Sequence, residues 1–108
     1  MNKTKRTRLE ARGWRIGSAN DFLGLSPEEA ALVETRLALS RALRSRREAL
    51  HLTQTELARR LKSSQSRIAK MEAGDKTVSV DLLVRALFSL GAKPKDVGRA
   101  LQRGTAAA

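Results

Sequence analysis

Apolar residues between positions 27 and 101 recur three and four apart, the spacing of helices that each bury one side. The first block is opened by Ser26-Pro27-Glu28-Glu29, with serine as N-cap, proline at the first helical position and glutamate placed to close a capping box. No breaker interrupts it, so the pattern predicts one helix from about residue 27 to 50, roughly 36 Å long at 1.5 Å per residue. Leu32, Leu39, Leu43 and Leu50 share one face of it and are expected to pack on the Leu52 to Gly74 motif that follows. Val33 and Leu37 fall on a second face, which needs cover from another segment or another chain.

The next block, Leu52 to Gly74, reads as two short helices joined by a tight turn. Thr53 and Glu56 are spaced as a capping box for the first, whose Leu57, Ala58 and Leu61 point inward. Ala58 is small where two steeply crossing helices meet. The second starts at Ser64 as N-cap, buries Ile68 and Met71, and stops at Gly74, a residue suited to a left-handed terminus. Its outer face stays polar. Gln65, Ser66, Arg67 and Lys70 have the chemistry to meet base edges and phosphates in a DNA major groove, and Ser64 is counted with them as a DNA-binding candidate. For Arg67 a phosphate contact and a merely solvated face stand equal.

Beyond this motif (53–74), Ser79 caps a predicted helix over about 80–90, with Leu83, Val84, Leu87 and Leu90 at core spacing and Gly91 as terminator. Leu82 and Phe88 lie on its flanks. A last short helix is expected over 94–101, weakened by Gly98. The chain thus divides into three regions: a basic arm and apolar strap at 1–25, a helical domain at 26–103 and a tail at 104–108. The arm carries Lys3, Lys5, Arg6, Arg8 and Arg12 and is either a free tail or a minor-groove contact. The strap, with Trp14, Ile16, Phe22, Leu23 and Leu25, is the nearer candidate to cover Val33 and Leu37.

Charge narrows the partner. Twenty-two Lys and Arg against eleven Asp and Glu leave +11 on 108 residues, which draws the chain toward polyanions. Aromatics are only Trp14, Phe22 and Phe88, too few for the stacking platforms of single-strand and RNA binders, so duplex DNA is favoured. Cysteine is absent, so no disulfide framework or thiolate metal site is expected. Neither a membrane span nor a signal peptide is legible, and a soluble cytoplasmic protein is expected. No catalytic site, cofactor or metal is expected either. His51 is the only histidine and reads as a helix-end residue, and Arg36, Arg41, Arg44 and Arg46 read as a solvated or phosphate-facing surface.

The stretch Leu52 to Gly74 resembles the XRE-type regulators, the family of lambda repressor and Cro. The resemblance implies an all-α, five-helix, lambda-repressor-like DNA-binding domain, here with an N-terminal extension. It implies that Gln54 grips a phosphate, that Gln65, Ser66 and Lys70 read bases, and that Arg47 pairs with Glu72 in a structural ion pair. It also implies a homodimeric repressor on an inverted repeat of double-stranded DNA, with dimer contacts near the helix that carries Leu82 and Phe88. Lys62 stands where the family's turn commonly has glycine, so a strained or differently wound turn is expected. Among its members the chain is most similar to HigA-type antitoxins, which implies a RelE- or HigB-like toxin partner. A stand-alone or phage-type regulator, and a protein-interaction module using Val33 and Leu37, are the alternatives.

Overall fold

The computed structural model describes residues 24–106, with side chains through Arg103. The chain divides into two compact units, Met1–Leu32 and Val33–Ala108. The basic arm and nearly all of the strap lie outside the described residues. The described part of the first unit is the Gly24 turn and the opening of α1 (Pro27–Ala49). Ser26 accepts the Glu29 backbone N–H, and its hydroxyl donates to the Glu29 carboxylate, so the cap forms with the hydroxyl engaging the glutamate.

The second unit holds the rest of α1 and then α2 (Gln54–Arg60), α3 (Gln65–Ala73), α4 (Val80–Ser89) and α5 (Pro94–Ala106). All described regular structure is helical. Leu39 and Leu43 of α1, Leu57 and Ala58 of α2, Ile68 and Met71 of α3, and Leu83 and Leu87 of α4 bury together with Val78. Each such fully buried leucine contributes about 1.5–3 kcal/mol over its exposed state. Leu32 and Leu50 do not join them, at 47% and 46% exposure. The core cluster contains Leu39 and Leu43 but not Leu32, and Leu50 sits past the end of α1, where the chain turns away.

Four helices end in the same way. After α1, α2, α3 and α4 the chain enters the left-handed region at His51, Lys62, Gly74 and Gly91, with φ of 58°, 56°, 72° and 88°. In each, the next N–H reaches back to a carbonyl of the last turn: Leu52 to Arg47, Ser63 to Ala58, Asp75 to Lys70 and Ala92 to Leu87. Lys62 therefore winds its turn as a glycine would, at the steric cost of its Cβ. His51 is a helix-end residue of the same kind.

Gly74 also lets α1 approach. A Cβ there would stand 2.6 Å from Leu37 Cδ2, so Leu37 lies against the end of α3. The second apolar face of α1 is thus partly covered from within the unit, by the motif itself. α5 runs past its expected end at Leu101 to Ala106. Asp96 caps it by accepting the Lys93 N–H at 2.8 Å, and Val97 and Leu101 pack on the core, which together outweigh the roughly 1 kcal/mol cost of Gly98.

Two arginines expected on an open surface are spent on the fold. Arg36 donates to the Val78 carbonyl and Arg46 to that of Leu90, both at 3.1 Å, tying α1 to the two ends of α4. Carbonyls left over at chain turns need donors, and a long guanidinium stem reaches them from a neighbouring helix. Arg44 pairs with Glu48 on the exposed face.

Candidate nucleic-acid interface

The α2–α3 pair is set by its caps. The Thr53 side chain accepts from the Glu56 N–H while the Glu56 carboxylate accepts from the Thr53 N–H, a complete capping box. These two bonds hold the Glu56 carboxyl below its usual pKa. Ser64 accepts from the Arg67 N–H at 3.2 Å and starts α3, and its hydroxyl lies 3.2 Å from that of Ser66. Ser64 thus serves the helix first.

Behind the pair, Arg47 and Glu72 form a two-pronged ion pair, Nε to Oε2 at 2.5 Å and Nη2 to Oε1 at 2.9 Å. Their side chains are 11% and 4% exposed. The remaining Arg47 prong, Nη1, donates to the Leu52 carbonyl at 2.8 Å, so one guanidinium fastens α1, the α1–α2 turn and α3. Its hydrogen bond to Glu72 holds the Arg47 pKa above the ordinary arginine value.

Gln54 extends this pair to the surface. Its Nε2 donates to Glu72 Oε1 at 3.1 Å, and its Oε1 accepts from Gln65 Nε2 at 2.6 Å. A carboxylate only accepts, so Gln54 must turn its NH2 inward and its carbonyl outward, which forces Gln65 to present its NH2 to Gln54. Gln65 keeps its carbonyl and a second N–H, and its side chain is exposed. Spacing along the chain marked both glutamines but not the bond between them, because it forms across eleven residues and only once α2 and α3 have crossed.

Gln65, Ser66, Arg67 and Lys70 are all exposed on α3. The side chains of Arg67 and Lys70 make no hydrogen bond or ion pair among the described residues. Ile68 and Met71, interleaved with them in sequence, are buried. The structure therefore brings Arg47, Glu72, Gln54 and Gln65 into one connected network. It leaves Ser66, Arg67 and Lys70 as an adjoining polar face with two unpaired cations. Among the described residues no group of three or more His, Cys, Asp or Glu side chains is placed to hold a metal ion. No helix among them is long and apolar enough to cross a membrane.

A capped helix pair with a polar outer face on α3 is the arrangement of a helix-turn-helix. Residues 43–88 match the helix-turn-helix family model. The match runs from the last turns of α1 through most of α4 and covers less than half of the chain. Over that span the chain is similar to XRE-type helix-turn-helix proteins, a DNA-binding, transcription-regulating class that is not typically enzymatic. No curated protein and no solved structure matches the chain. The helix-turn-helix match contains Arg47, Gln54, Gln65, Lys70 and Glu72, the residues that the network and its polar face bring forward.

Proposed function

We propose that this chain is a sequence-specific, duplex-DNA-binding transcriptional repressor that acts in the cytoplasm as a homodimer on an inverted repeat. The observation that carries the reading is the chain of bonds from the buried Arg47–Glu72 pair through Gln54 to the exposed Gln65. It fixes the polarity of a surface amide before any ligand arrives. The free carbonyl and N–H of Gln65 match the N6–H donor and N7 acceptor of adenine in the major groove. Lys70, one turn beyond Ser66, is a donor suited to the O6 and N7 acceptors of guanine. Ser66 adds a hydroxyl to this reading face, and Ser64 and Arg67 supply a hydroxyl and a cation for the flanking backbone.

The test is binding to the DNA upstream of the protein's own gene against a scrambled duplex at matched salt. Preference for the upstream duplex, lost in Gln65→Ala, is the expected result. Equal affinity for both duplexes at every salt concentration would reduce the protein to a non-specific basic binder.

The finer reading, an autoregulating antitoxin, rests on resemblance to HigA-type chains. It requires a RelE- or HigB-like ribonuclease encoded beside this gene that forms a complex with the protein. Without such a neighbour the protein is a stand-alone regulator.

A further inference from the structure

A groove of about 570 Å³ lies in the second unit between the C-terminal half of α1, the end of α4 and α5. None of its lining comes from α2 or α3. Its floor is apolar and mostly small: Ala38, Ala42 and Ala49 of α1, Leu87 of α4, and Val97 and Ala100 of α5. Its rim is cationic, with Arg41, Arg46, Arg99 and Arg103 against a single acid, Asp96. The Arg41 and Arg103 side chains make no hydrogen bond or ion pair among the described residues, and that of Arg99 is bound only loosely, 3.9 Å from Asp96. Asp96 is already engaged as the cap of α5, and its carboxyl sits below its usual pKa because it accepts the Lys93 N–H.

We propose that this groove docks an acidic amphipathic helix of another protein. Alanines along α1 bring the floor close to the helix axis, so a docked backbone can approach. From Ala38 to Ala49 the groove offers about 17 Å, or three turns of a partner helix. The cationic rim meets acidic flanks on either side of an apolar stripe. A phosphate backbone could meet the rim arginines but would leave the methyl-lined floor uncovered. A second copy of this chain, at +11, would bring like charge to the rim. The same holds for the basic arm at 1–12, in which Lys3, Lys5, Arg6, Arg8 and Arg12 stand against Glu10 alone. The proposal is independent of the DNA reading.

The experiment titrates isotope-labelled full-length protein with a synthetic peptide of about four helical turns. The peptide carries leucines on one face and glutamates flanking them. Two control peptides replace the glutamates by lysine or the leucines by serine. The glutamate–leucine peptide is expected to bind saturably, shifting amides of residues 38–49 and 94–103 and leaving α3 unmoved. Both controls fail to bind, and Arg41→Ala with Arg103→Ala weakens the complex about tenfold without altering the melting temperature. Several results would overturn the proposal: no saturable binding, equal binding of the lysine peptide, shifts centred on α3, or an unchanged affinity in the double variant. Concentration-dependent shifts at the groove without peptide would assign it to a second copy. A loss of duplex-DNA affinity in the double variant equal to that of Gln65→Ala would assign its arginines to phosphate.

Discussion

Single side chains decide the stability of this unit, in opposite directions. Arg47 and Glu72 are both largely buried, so removing one leaves the other without its partner, at a cost of about 3–5 kcal/mol. Arg47→Ala is expected to lower the melting temperature markedly in calorimetry, and an unchanged midpoint would contradict the pair's structural weight. Ser40 is the converse case. It is 1% exposed, and its hydroxyl has no hydrogen-bond partner among the described residues, a state that costs about 1–3 kcal/mol. Ser40→Ala removes the stranded hydroxyl and little volume, so its denaturation midpoint should equal or exceed the parent's. Lys62 holds a left-handed conformation that costs a residue with a Cβ roughly 1–2 kcal/mol. Lys62→Gly relieves that while loosening the unfolded chain, for a net gain of up to about 1 kcal/mol by chemical denaturation. Gly74→Ala should do the reverse, since it adds both strain and a contact with Leu37.

At the scale of helices, what the sequence made legible were their ends. Thr53, Ser64 and Ser79 mark starts by local chemistry within three residues, and each is found capping as that chemistry requires. The end of α5 was not legible, because Gly98 weakens the helix locally while Val97 and Leu101 restore it through packing on distant residues. For the same reason the roles of Arg36 and Arg46 were hidden: their carbonyl partners lie 42 and 44 residues away. The candidate site divides likewise. Gln54 and Gln65 stand out singly by position, whereas their bond depends on the crossing of α2 and α3. That bond changes what Gln54→Ala should do. A glutamine that only held a phosphate would, on loss, weaken binding to all duplexes alike. Here its loss also frees the Gln65 amide to rotate, so Gln54→Ala should reduce the ratio of operator to scrambled-DNA affinity as well. Competition binding with both duplexes measures this, and a ratio equal to the parent's would show that Gln65 needs no support. The caps of α2 and α5, and the turn in which Asp75 accepts from Thr77, also set a pH response. Hydrogen bonds hold the carboxyls of Glu56, Asp75 and Asp96 below their usual pKa. Their contribution is therefore complete above the ordinary carboxylate range and is lost as pH falls through the lowered values. Thermal midpoints should be flat near neutrality and fall in acid.

For the molecule as a whole, the balance of charge makes affinity for DNA a poor guide to recognition. At +11 the chain is drawn to any duplex, and that attraction weakens steeply with salt as counterions are no longer released to advantage. Recognition has to be sought in the part of the binding that salt does not remove. Arg67 and Lys70 separate the two contributions, since both are exposed on α3 and neither side chain is committed to a hydrogen bond or ion pair among the described residues. If Arg67 meets a phosphate, Arg67→Ala should weaken operator and scrambled duplex equally and lower the slope of log affinity against log salt by about one counterion. If it is only solvated, the slope should stay as it was. Lys70→Ala should instead cost about 1–3 kcal/mol on the operator, with a smaller effect on the scrambled duplex, because a base contact carries discrimination. Fluorescence anisotropy with both duplexes across a salt series reads slope and ratio together. If Lys70→Ala lowered the affinity of both duplexes by the same factor at every salt concentration, Lys70 would be a phosphate contact, and the proposed reading face would shrink to Gln65 and Ser66.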